Sequence, residues 1–464
     1  MFFDNLKKGQ HIHMIGIGGI SMSGLAGILV KWDYKVSGSD LKPSSITEKL
    51  KKSGIEIFTP HDALNIEGAD AIVYTAAIKD DNPELVRAKQ LGLPIIDRAT
   101  LLGEITSIYP KTIAISGTHG KTTTTSMISV TMAEDNFDPT ILVGGEVDSI
   151  GGNYRIGTSE FLITEACEYV ESFLKFHPHA AVILNIESDH LDYFKDINHI
   201  KSSFEKFAGR VPQDGILVGN FDDSIVRNVL NNVNRKVISF SLDYKETDWL
   251  AENIITNTRG CAKFDALNRG EYKGTIQLCI PGVHNIYNAL ACIAICSYYG
   301  VDFKQIKSAL EKFTGAKRRF EYKGTYNGIT IVDDYAHHPS EVKATLEAAA
   351  RQSHQSLWCI FQPHTYTRTK ALLSEFSTAF ESADKVIIID IYAAREANTG
   401  QIHSKDLVKA VNEKTSNAVY AANFNEAAEM ILNEASLGDL VLTMGAGDVY
   451  QIGEMILESK KAAV

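Results

Sequence analysis

The sequence predicts an α/β fold, because three segments each begin with an apolar strand that runs into a distinctive loop. The opening strands are His11–Ile17, Thr112–Ser116 and Ile329–Asp333. Amphipathic stretches connect most of the later apolar strands, as is typical of parallel sheets. The 464 residues suit about three domains of roughly 100–200 residues each. We therefore expect three α/β domains with their own sheets, at residues 1–108, 109–320 and 321–464.

The overall composition excludes several function classes. The formal charge of −11 supplies no positive field for nucleic acid or an anionic membrane, so any phosphate must be bound at a local site. Asp4, Lys7 and Lys8 interrupt the apolar core that a signal peptide needs, so we expect a cytoplasmic protein. The most apolar run, Ala289–Tyr299, is shorter than the ~20 residues of a membrane span. We expect a buried helix there and no membrane insertion.

A glycine-rich loop follows the first strand. It contains Gly16, Gly18 and Gly19, with Ser21 at the third glycine position of a near match to the dinucleotide fingerprint. Asp40 closes the next strand, where a carboxylate can hold ribose hydroxyls. These residues predict a site for a nucleotide diphosphate, although a purely structural turn also fits. NAD remains open, but a domain of this size suits a single-nucleotide conjugate such as a UDP-sugar better.

A second loop has the ending of a phosphate-binding loop. It reads Gly117-Thr118-His119-Gly120-Lys121-Thr122-Thr123. Its backbone N–H groups can cradle phosphates, while Lys121 can reach the β- and γ-phosphates and Thr122 can bind Mg²⁺. Only two residues separate the glycines, where the usual loop has four. We interpret it as a shortened phosphate-binding loop, the alternative being a turn that caps a helix.

Two further strand ends in this segment carry possible metal ligands, Glu165 and His190. Together they can hold a second cation beside the one on Thr122, which would help to join two anionic reactants. Mg²⁺ prefers oxygen ligands, so a structural, hydrogen-bonded role for His190 stays open. Three nearby carboxylates are equally open to a role as solvated or helix-capping groups: Glu187, Asp189 and Asp192.

Three later stretches are weaker signals. Pro281–Asn288 places side-chain amides where they can grip an adenine edge, but alone it indicates only a helix start. The basic run Lys317–Phe320 can reach a polyphosphate as domains close, although such runs are normally solvated. Adjacent His337 and His338 are a poor zinc site, because neighbouring residues rarely coordinate one ion together.

In order along the chain, these loops resemble those of the Mur ligase family. The matching stretches are GIGGISMSG, SGTHGKTTTT, NIESDHLDYF, GVHNIYNALA, RRFEYKG, DDYAHHPSEV, FQPHTYTRTK and MGAGD. The resemblance covers essentially the whole chain. It implies a Rossmann-like N-terminal domain for a UDP-sugar, a central P-loop ATPase-type domain, and a Rossmann-like C-terminal domain that closes over ATP and the amino acid.

The resemblance also implies an activity. It indicates an ATP-dependent ligase that joins L-alanine to UDP-N-acetylmuramate, uses two Mg²⁺ ions and works as a monomer or weak homodimer. Lys121, Glu165, His190 and Arg368 would be catalytic, and Thr122, Glu165 and His190 would hold the ions. The remaining implied contacts are Asn285 with adenine, Arg319 with phosphates, Asp334 with ribose, and His338 and Arg368 on the acceptor side.

Four departures from the family pattern concern the site. Cys167 replaces an acidic residue after the strand, and Thr365 replaces an arginine, which leaves Arg368 a larger role. Arg395 in the YAARE stretch is a candidate replacement for that charge. Phe204 and Glu205 stand where many relatives have a carbamylated lysine, so we expect no carbamate.

The sequence leaves three alternative functions open. A muropeptide ligase, which attaches a whole tripeptide, has similar motifs. A P-loop kinase or nucleotide sensor would use the same phosphate-binding loop. An NAD-dependent oxidoreductase would rest on Gly16–Gly24 alone and leave the second loop unexplained.

Overall fold

The computed structural model describes residues 2–135, 137–394 and 396–459. Its strands form three separate sheets, which confirms the predicted three-domain α/β fold. Four short 3₁₀ segments also occur in the described part of the chain: Phe3–Asn5, Ala63–Ile66, Asp148–Ile150 and Tyr169–Lys175. No helix within the described ranges is both long and apolar enough to cross a membrane.

The first sheet is entirely parallel. Its strands are β1 (His11–Ile15), β2 (Lys35–Ser39), β3 (Glu56–Phe58), β4 (Ala71–Tyr74) and β5 (Ile95–Asp97), and its helices are α1 (Ile20–Lys31), α2 (Ser45–Lys52), α3 (Pro83–Leu91) and α4 (Arg98–Ile108). The strand order β3-β2-β1-β4-β5 reverses direction at β1. Ligands of such sheets bind outside the carboxyl ends of the strands at this reversal point, where the glycine-rich loop lies.

The second sheet is the largest. Its strands are β6 (Lys111–Ser116), β7 (Thr140–Val147), β8 (Gly152–Arg155), β9 (Phe161–Glu165), β10 (Ala180–Ile183), β11 (Ile216–Asn220), β12 (Lys236–Ser241), β13 (Trp249–Thr256), β14 (Cys261–Asn268) and β15 (Glu271–Pro281). Its helices are α5 (Lys121–Glu134), α6 (Ile197–Ala208), α7 (Ser224–Asn231), α8 (His284–Tyr298) and α9 (Phe303–Lys312).

This sheet has a parallel centre and antiparallel ends. The order is β15-β14-β13-β12-β11-β10-β6-β9-β7-β8. Strands β14 and β15 extend one edge as an antiparallel meander, and β8 pairs antiparallel with β7 at the other. β6 lies between β9 and β10, so the loops that follow these three neighbours open at the same edge. The sequence analysis identified these three strands but not the meander.

The third sheet has the order β16-β17-β21-β18-β19-β20. Its strands are β16 (Glu321–Tyr326), β17 (Ile329–Asp334), β18 (Leu357–Phe361), β19 (Lys385–Ile388), β20 (Ala418–Tyr420) and β21 (Leu440–Met444). Its helices are α10 (Pro339–Ala350), α11 (Tyr366–Ala371), α12 (Leu373–Thr378), α13 (Ser404–Asn412), α14 (Phe424–Glu434) and α15 (Tyr450–Glu458). β16 is antiparallel to β17, and the other pairs are parallel. The exact domain bounds stay a prediction.

The first and central domains share one hydrophobic core. Leu25 of α1 and Leu142 of β7 belong to the same buried cluster. Two glycines on α1 permit this approach: a Cβ at Gly24 would lie 2.7 Å from Leu142 Cδ2, and one at Gly27 would overlap the Tyr154 ring. The amide of Asn153 on β8 donates to the Ile20 carbonyl at 2.5 Å. The glycine-rich loop is therefore held at a fixed place against the central domain.

Arg318, between the central and third sheets, is a structural residue. Its guanidinium donates to Asp333 Oδ2 at 2.9 Å and to the carbonyls of Gly445 and Gly447 at 2.7 and 3.0 Å. The Asp333 side chain is fully buried. The neighbouring Lys317 makes only half-exposed ion pairs. The basic run, which was predicted to reach a polyphosphate or else to be solvated, thus divides into residues with different roles.

We expect Arg318→Ala to destabilise the third domain by about 3–5 kcal/mol, because it leaves the Asp333 carboxylate buried without its cation. Urea unfolding followed by Trp358 fluorescence, with Trp32 and Trp249 replaced by phenylalanine, measures the change. Lys317→Ala is the matched control and should cost less than about 1 kcal/mol, because its ion pairs are exposed. Equal losses of unfolding free energy in the two variants would contradict the structural role of Arg318.

Candidate active site

The phosphate-binding loop joins β6 to α5. Gly117 and Gly120 have φ values of +138° and +82°, which residues with a side chain rarely adopt. A Cβ at Gly120 would also lie 2.6 Å from Asn288 Oδ1. The loop ends at Lys121, the first residue of α5, so its N–H groups lie at a helix N-terminus that attracts anions.

Lys121 is held by the chain itself. Its ammonium donates to the carbonyls of Gly117 and Thr118 and lies 3.1 Å from Glu168 Oε2. Both side chains are largely buried. Burial alone would lower the pKa of Lys121, but the Glu168 carboxylate outweighs it and raises this pKa above its usual value. The lysine is therefore charged and positioned before any nucleotide arrives.

The predicted metal ligands surround this pair. Thr122 Oγ1 accepts a hydrogen bond from Arg319 at 3.4 Å, and Glu165 Oε1 accepts one from the Gly144 N–H at 2.6 Å. His190 Nε2 lies 3.9 Å from Glu168 Oε1. Burial lowers the pKa of His190, which favours the neutral ring that binds metals.

A cavity of about 390 Å³ opens beside the phosphate-binding loop. The central domain contributes Gly120, Thr123 and Asn285, and the third domain contributes Asp334. Arg319, between the two domains, also lines it. All of these residues were predicted to contact ATP, and the structure brings them to one space.

Within this cavity, Asn285 and Asp334 already have partners. The Asn285 amide donates to the Pro281 carbonyl at 2.7 Å, and its oxygen accepts from Asn288 at 2.9 Å. Asp334 accepts from the N–H groups of Phe320 at 2.7 Å and Ala336 at 2.8 Å. Burial raises the pKa of Asp334 to about 6.

A second cavity, of about 230 Å³, lies between the central and third domains. It is lined by His190 and Asp189 from one side and by Arg368 and His337 from the other. Arg368 Nε donates to Asp189 Oδ1 at 2.9 Å, and a second nitrogen donates to Oδ2 at 3.3 Å. Burial alone would raise the pKa of Asp189, but Arg368 outweighs it and holds this pKa well below its usual range.

Of two further candidates for the acceptor side, one lies away from the second cavity and the other lies outside the described residues. His338 does not line the second cavity among the described residues; its Nε2 faces the Ser188 carbonyl at 3.1 Å, and His337 takes the position on the cavity. The cause is the start of α10, where the His338 ring caps the helix. Arg395 lies outside the described residues.

A third cavity, of about 220 Å³, lies between the first and central domains. Ser21 and Glu165 line it from opposite domains, together with Cys167 and Arg98. Arg98 donates to Ser21 Oγ at 3.2 Å. Arg98 was not among the predicted site residues, although its place at the start of α4, directly after β5, is the signal that would have found it.

The remaining predicted sugar-nucleotide residues form the turn after β1. Gly16 has a φ of +80°, and the Gly18 N–H donates to Asp40 Oδ2 at 2.9 Å. The Gly19 residue caps α1. Asp40 thus orders the glycine-rich loop from the end of β2, and its contact with a ribose stays a prediction.

Comparison with known proteins gives one family along the chain. Residues 11–109 match the Mur ligase family catalytic domain, residues 115–296 the Mur ligase middle domain and residues 318–447 the Mur ligase glutamate ligase domain. The chain is 57 % identical over 455 residues to the UDP-N-acetylmuramate–L-alanine ligase of Acetivibrio thermocellus, which covers 98 % of this chain and 97 % of that protein. The ligase of the same name from Caldanaerobacter subterraneus is 52 % identical over 457 residues, which cover 98 % of this chain and 99 % of that protein.

A solved structure extends this likeness to the fold. The UDP-N-acetylmuramate-alanine ligase of Thermotoga maritima superposes with a TM-score of 0.84 at 29 % identity, covering 98 % of this chain and all of that one.

We expect a double-mutant cycle of Lys121→Met and Glu168→Gln to give a coupling free energy of about 2 kcal/mol or more, because each single variant leaves a buried group unpaired. Urea unfolding of the four proteins measures it. The Lys111–Glu160 pair, in the same domain and 2.6 Å apart but half-exposed, is the control. Its coupling should stay below about 1 kcal/mol. No coupling between Lys121 and Glu168 would refute the pairing.

Proposed function

The chain belongs to the Mur ligase family, and we propose that it joins L-alanine to UDP-N-acetylmuramate as ATP is converted to ADP and phosphate. The reaction is a step of peptidoglycan synthesis. One observation carries the proposal: Cys167 lines both the cavity with Ser21 and Glu165 and the cavity with Arg368. The next residue, Glu168, holds Lys121 of the phosphate-binding loop. The predicted sites for the sugar nucleotide, the amino acid and ATP therefore meet after β9.

The chemistry requires this convergence. A carboxylate does not condense with an amine in water unless one of its oxygens becomes a leaving group. Transfer of the γ-phosphoryl group of ATP to the carboxylate of UDP-N-acetylmuramate forms an acyl phosphate and releases ADP. Lys121 and the N–H groups at the start of α5 stabilise the negative charge of the phosphoryl group during this transfer.

The residues around the loop fit Mg²⁺, and we propose two ions. Thr122 and Glu165 offer the oxygen ligands that Mg²⁺ prefers, and His190 would join Glu165 at the second ion. In the described part of the chain, Glu165 Oε2 has no hydrogen-bonding partner. Bound there, the ions would neutralise charge on the phosphates. Arg319 donates to Thr122 Oγ1 at 3.4 Å, which supports a role for its charge at the same phosphates.

The second cavity is the proposed site of L-alanine. Asp189 binds two nitrogens of Arg368 and so fixes the plane of the guanidinium. The third nitrogen of Arg368 lies 3.0 Å from His364 Nδ1 and donates to the His364 carbonyl at 3.2 Å, and His364 also lines this cavity. We assign this edge of Arg368 to the carboxylate of the amino acid, which would replace the contacts with His364. The amine then attacks the acyl phosphate, forms the amide and releases phosphate.

We further propose that the protein works in the cytoplasm as a monomer or weak homodimer. Both UDP-N-acetylmuramate and ATP are anionic nucleotides, so the proposed chemistry needs no membrane component. Light scattering of the purified chain, with and without both nucleotides, tests the oligomeric state.

The test of function is the choice of amine. With UDP-N-acetylmuramate and ATP, we expect ADP release and a product of the correct mass with L-alanine, and weak activity with glycine and L-serine. One methylene changes selectivity by only about 1–3 kcal/mol, so these two should be detectable substrates. Faster turnover with the L-Ala-D-Glu-diamino-acid tripeptide than with L-alanine would indicate a muropeptide ligase instead. ADP release without any amine would favour a kinase or sensor.

We expect the KM for ATP to rise about tenfold between pH 7.5 and pH 5, because Asp334, whose pKa is about 6, loses its charge in this range. A neutral carboxyl group binds a ribose hydroxyl more weakly than a carboxylate does. Initial rates of ADP formation at saturating UDP-N-acetylmuramate and L-alanine measure the KM.

Asp334→Asn is the control for the titration of ATP itself. The KM of this variant for ATP should already exceed that of the wild type at pH 7.5. Between pH 7.5 and pH 5 it should change only because ATP itself takes up a proton. A pH dependence in the variant as steep as in the wild type would remove Asp334 from the nucleotide site.

A further inference from the structure

Four polar atoms converge at the edge of the nucleotide cavity, outside the proposed Mg²⁺ ligands. Ser340 Oγ lies 2.9 Å from His119 Nε2, 2.8 Å from Glu187 Oε2 and 2.8 Å from His338 Nδ1. Glu187 Oε2 is 3.5 Å from His119 Nε2 and 3.9 Å from His338 Nδ1. In the part of the chain that the structure describes, this is the one place where ligand atoms of three His, Cys, Asp or Glu residues lie within 4.8 Å of one another.

Each imidazole is oriented by a contact on its far side. His119 Nδ1 lies 3.1 Å from Glu341 Oε1, and Nε2 faces the cluster. Burial alone would lower the pKa of His119, but Glu341 and Glu187 outweigh it and raise this pKa to about 10, so a metal ion has to displace the proton on Nε2. On the far side of the His338 ring, Nε2 lies 3.1 Å from the Ser188 carbonyl. Its Nδ1 faces the cluster and accepts from the Ser340 N–H at 3.4 Å, a long hydrogen bond that a metal ion would replace. Metal-binding histidines typically have their second nitrogen bound in this way to a carboxylate or a carbonyl.

We propose that His119, Glu187 and His338 bind a divalent transition-metal ion of the Zn²⁺ class. The Ser340 hydroxyl, which lies 2.8–2.9 Å from all three ligand atoms, has to turn away when the ion binds. Ligands at about 2.0–2.2 Å from a tetrahedral ion lie about 3.4 Å from one another, close to the 3.5 and 3.9 Å separations here. Two imidazoles and one carboxylate suit Zn²⁺, Co²⁺ or Ni²⁺, whereas Mg²⁺ requires octahedral oxygen ligands.

The three proposed ligands come from two domains. His119 belongs to the phosphate-binding loop of the central domain, Glu187 follows β10, and His338 precedes α10 of the third domain. A metal ion here links the two domains across the nucleotide cavity, which His119 and Glu187 also line. The site is therefore placed to connect transition-metal binding with nucleotide binding. Metal binding itself is independent of the proposed ligase activity and is measured without substrates.

The experiment uses Co²⁺ as a spectroscopic probe of the full-length protein, without Mg²⁺ or nucleotide. Tetrahedral Co²⁺ absorbs strongly in the visible range, and titration with Zn²⁺ should displace it. We expect one tetrahedral site in the wild type. Glu187→Gln and His338→Gln should each bind Co²⁺ at least about 100-fold more weakly, and Glu341→Gln about tenfold more weakly.

Two histidine variants are matched controls. His190→Gln changes the proposed Mg²⁺ site, and His337→Gln changes a neighbour of His338 that is outside the cluster; both should keep the Co²⁺ spectrum. Anomalous diffraction at the zinc edge from wild-type crystals soaked in Zn²⁺ provides a test without any variant. A spectrum lost in His190→Gln but kept in Glu187→Gln and His338→Gln would overturn the proposal. So would the absence of a tetrahedral spectrum or of a zinc peak at the cluster in the wild type.

Discussion

Three buried cations around the phosphate-binding loop are each held by a carboxylate of the chain, in the pairs Lys121–Glu168, His119–Glu341 and Arg368–Asp189. A buried charge without a partner costs several kcal/mol, so these pairs fix where each cation can lie. All three cations belong to loops or helix ends that were predicted to meet anionic substrates. The site is therefore positioned in advance, and a phosphate or carboxylate has to share or replace a carboxylate that is already there.

Two of these pairs connect the central domain to the third domain. Arg368 of α11 reaches Asp189, which follows β10, and Glu341 of α10 reaches His119 of the phosphate-binding loop. The cavities of about 390 and 230 Å³ are both built from residues of the two domains, so they exist in this form only while the domains are in contact. In the proposed reaction, this contact would also protect an acyl phosphate from hydrolysis.

The sequence predicted the parts of the site that depend on strand ends, because parallel strands bring their carboxyl-end loops to one edge. Glu165 ends β9, Lys121 and His190 come after β6 and β10, and these three strands are neighbours. Spacing carried no information about partners that come from elsewhere in the fold. The pairing of Glu168 with Lys121 depends on the turn after β9, where Val170 and Glu171 have positive φ values. That His337 and not His338 lines the second cavity likewise depends on which of the two rings caps α10.

In the proposed reaction, the γ-phosphate of ATP and the carboxylate of UDP-N-acetylmuramate meet beside Lys121 and react directly. The most direct test uses UDP-N-acetylmuramate with ¹⁸O in both carboxylate oxygens, together with ATP and L-alanine, and mass spectrometry of the released phosphate. Formation of an acyl phosphate predicts one ¹⁸O atom in each phosphate and one in each amide carbonyl. Phosphate without ¹⁸O, released in equal amount with the amide, would exclude an acyl phosphate and with it the direct reaction of the two groups.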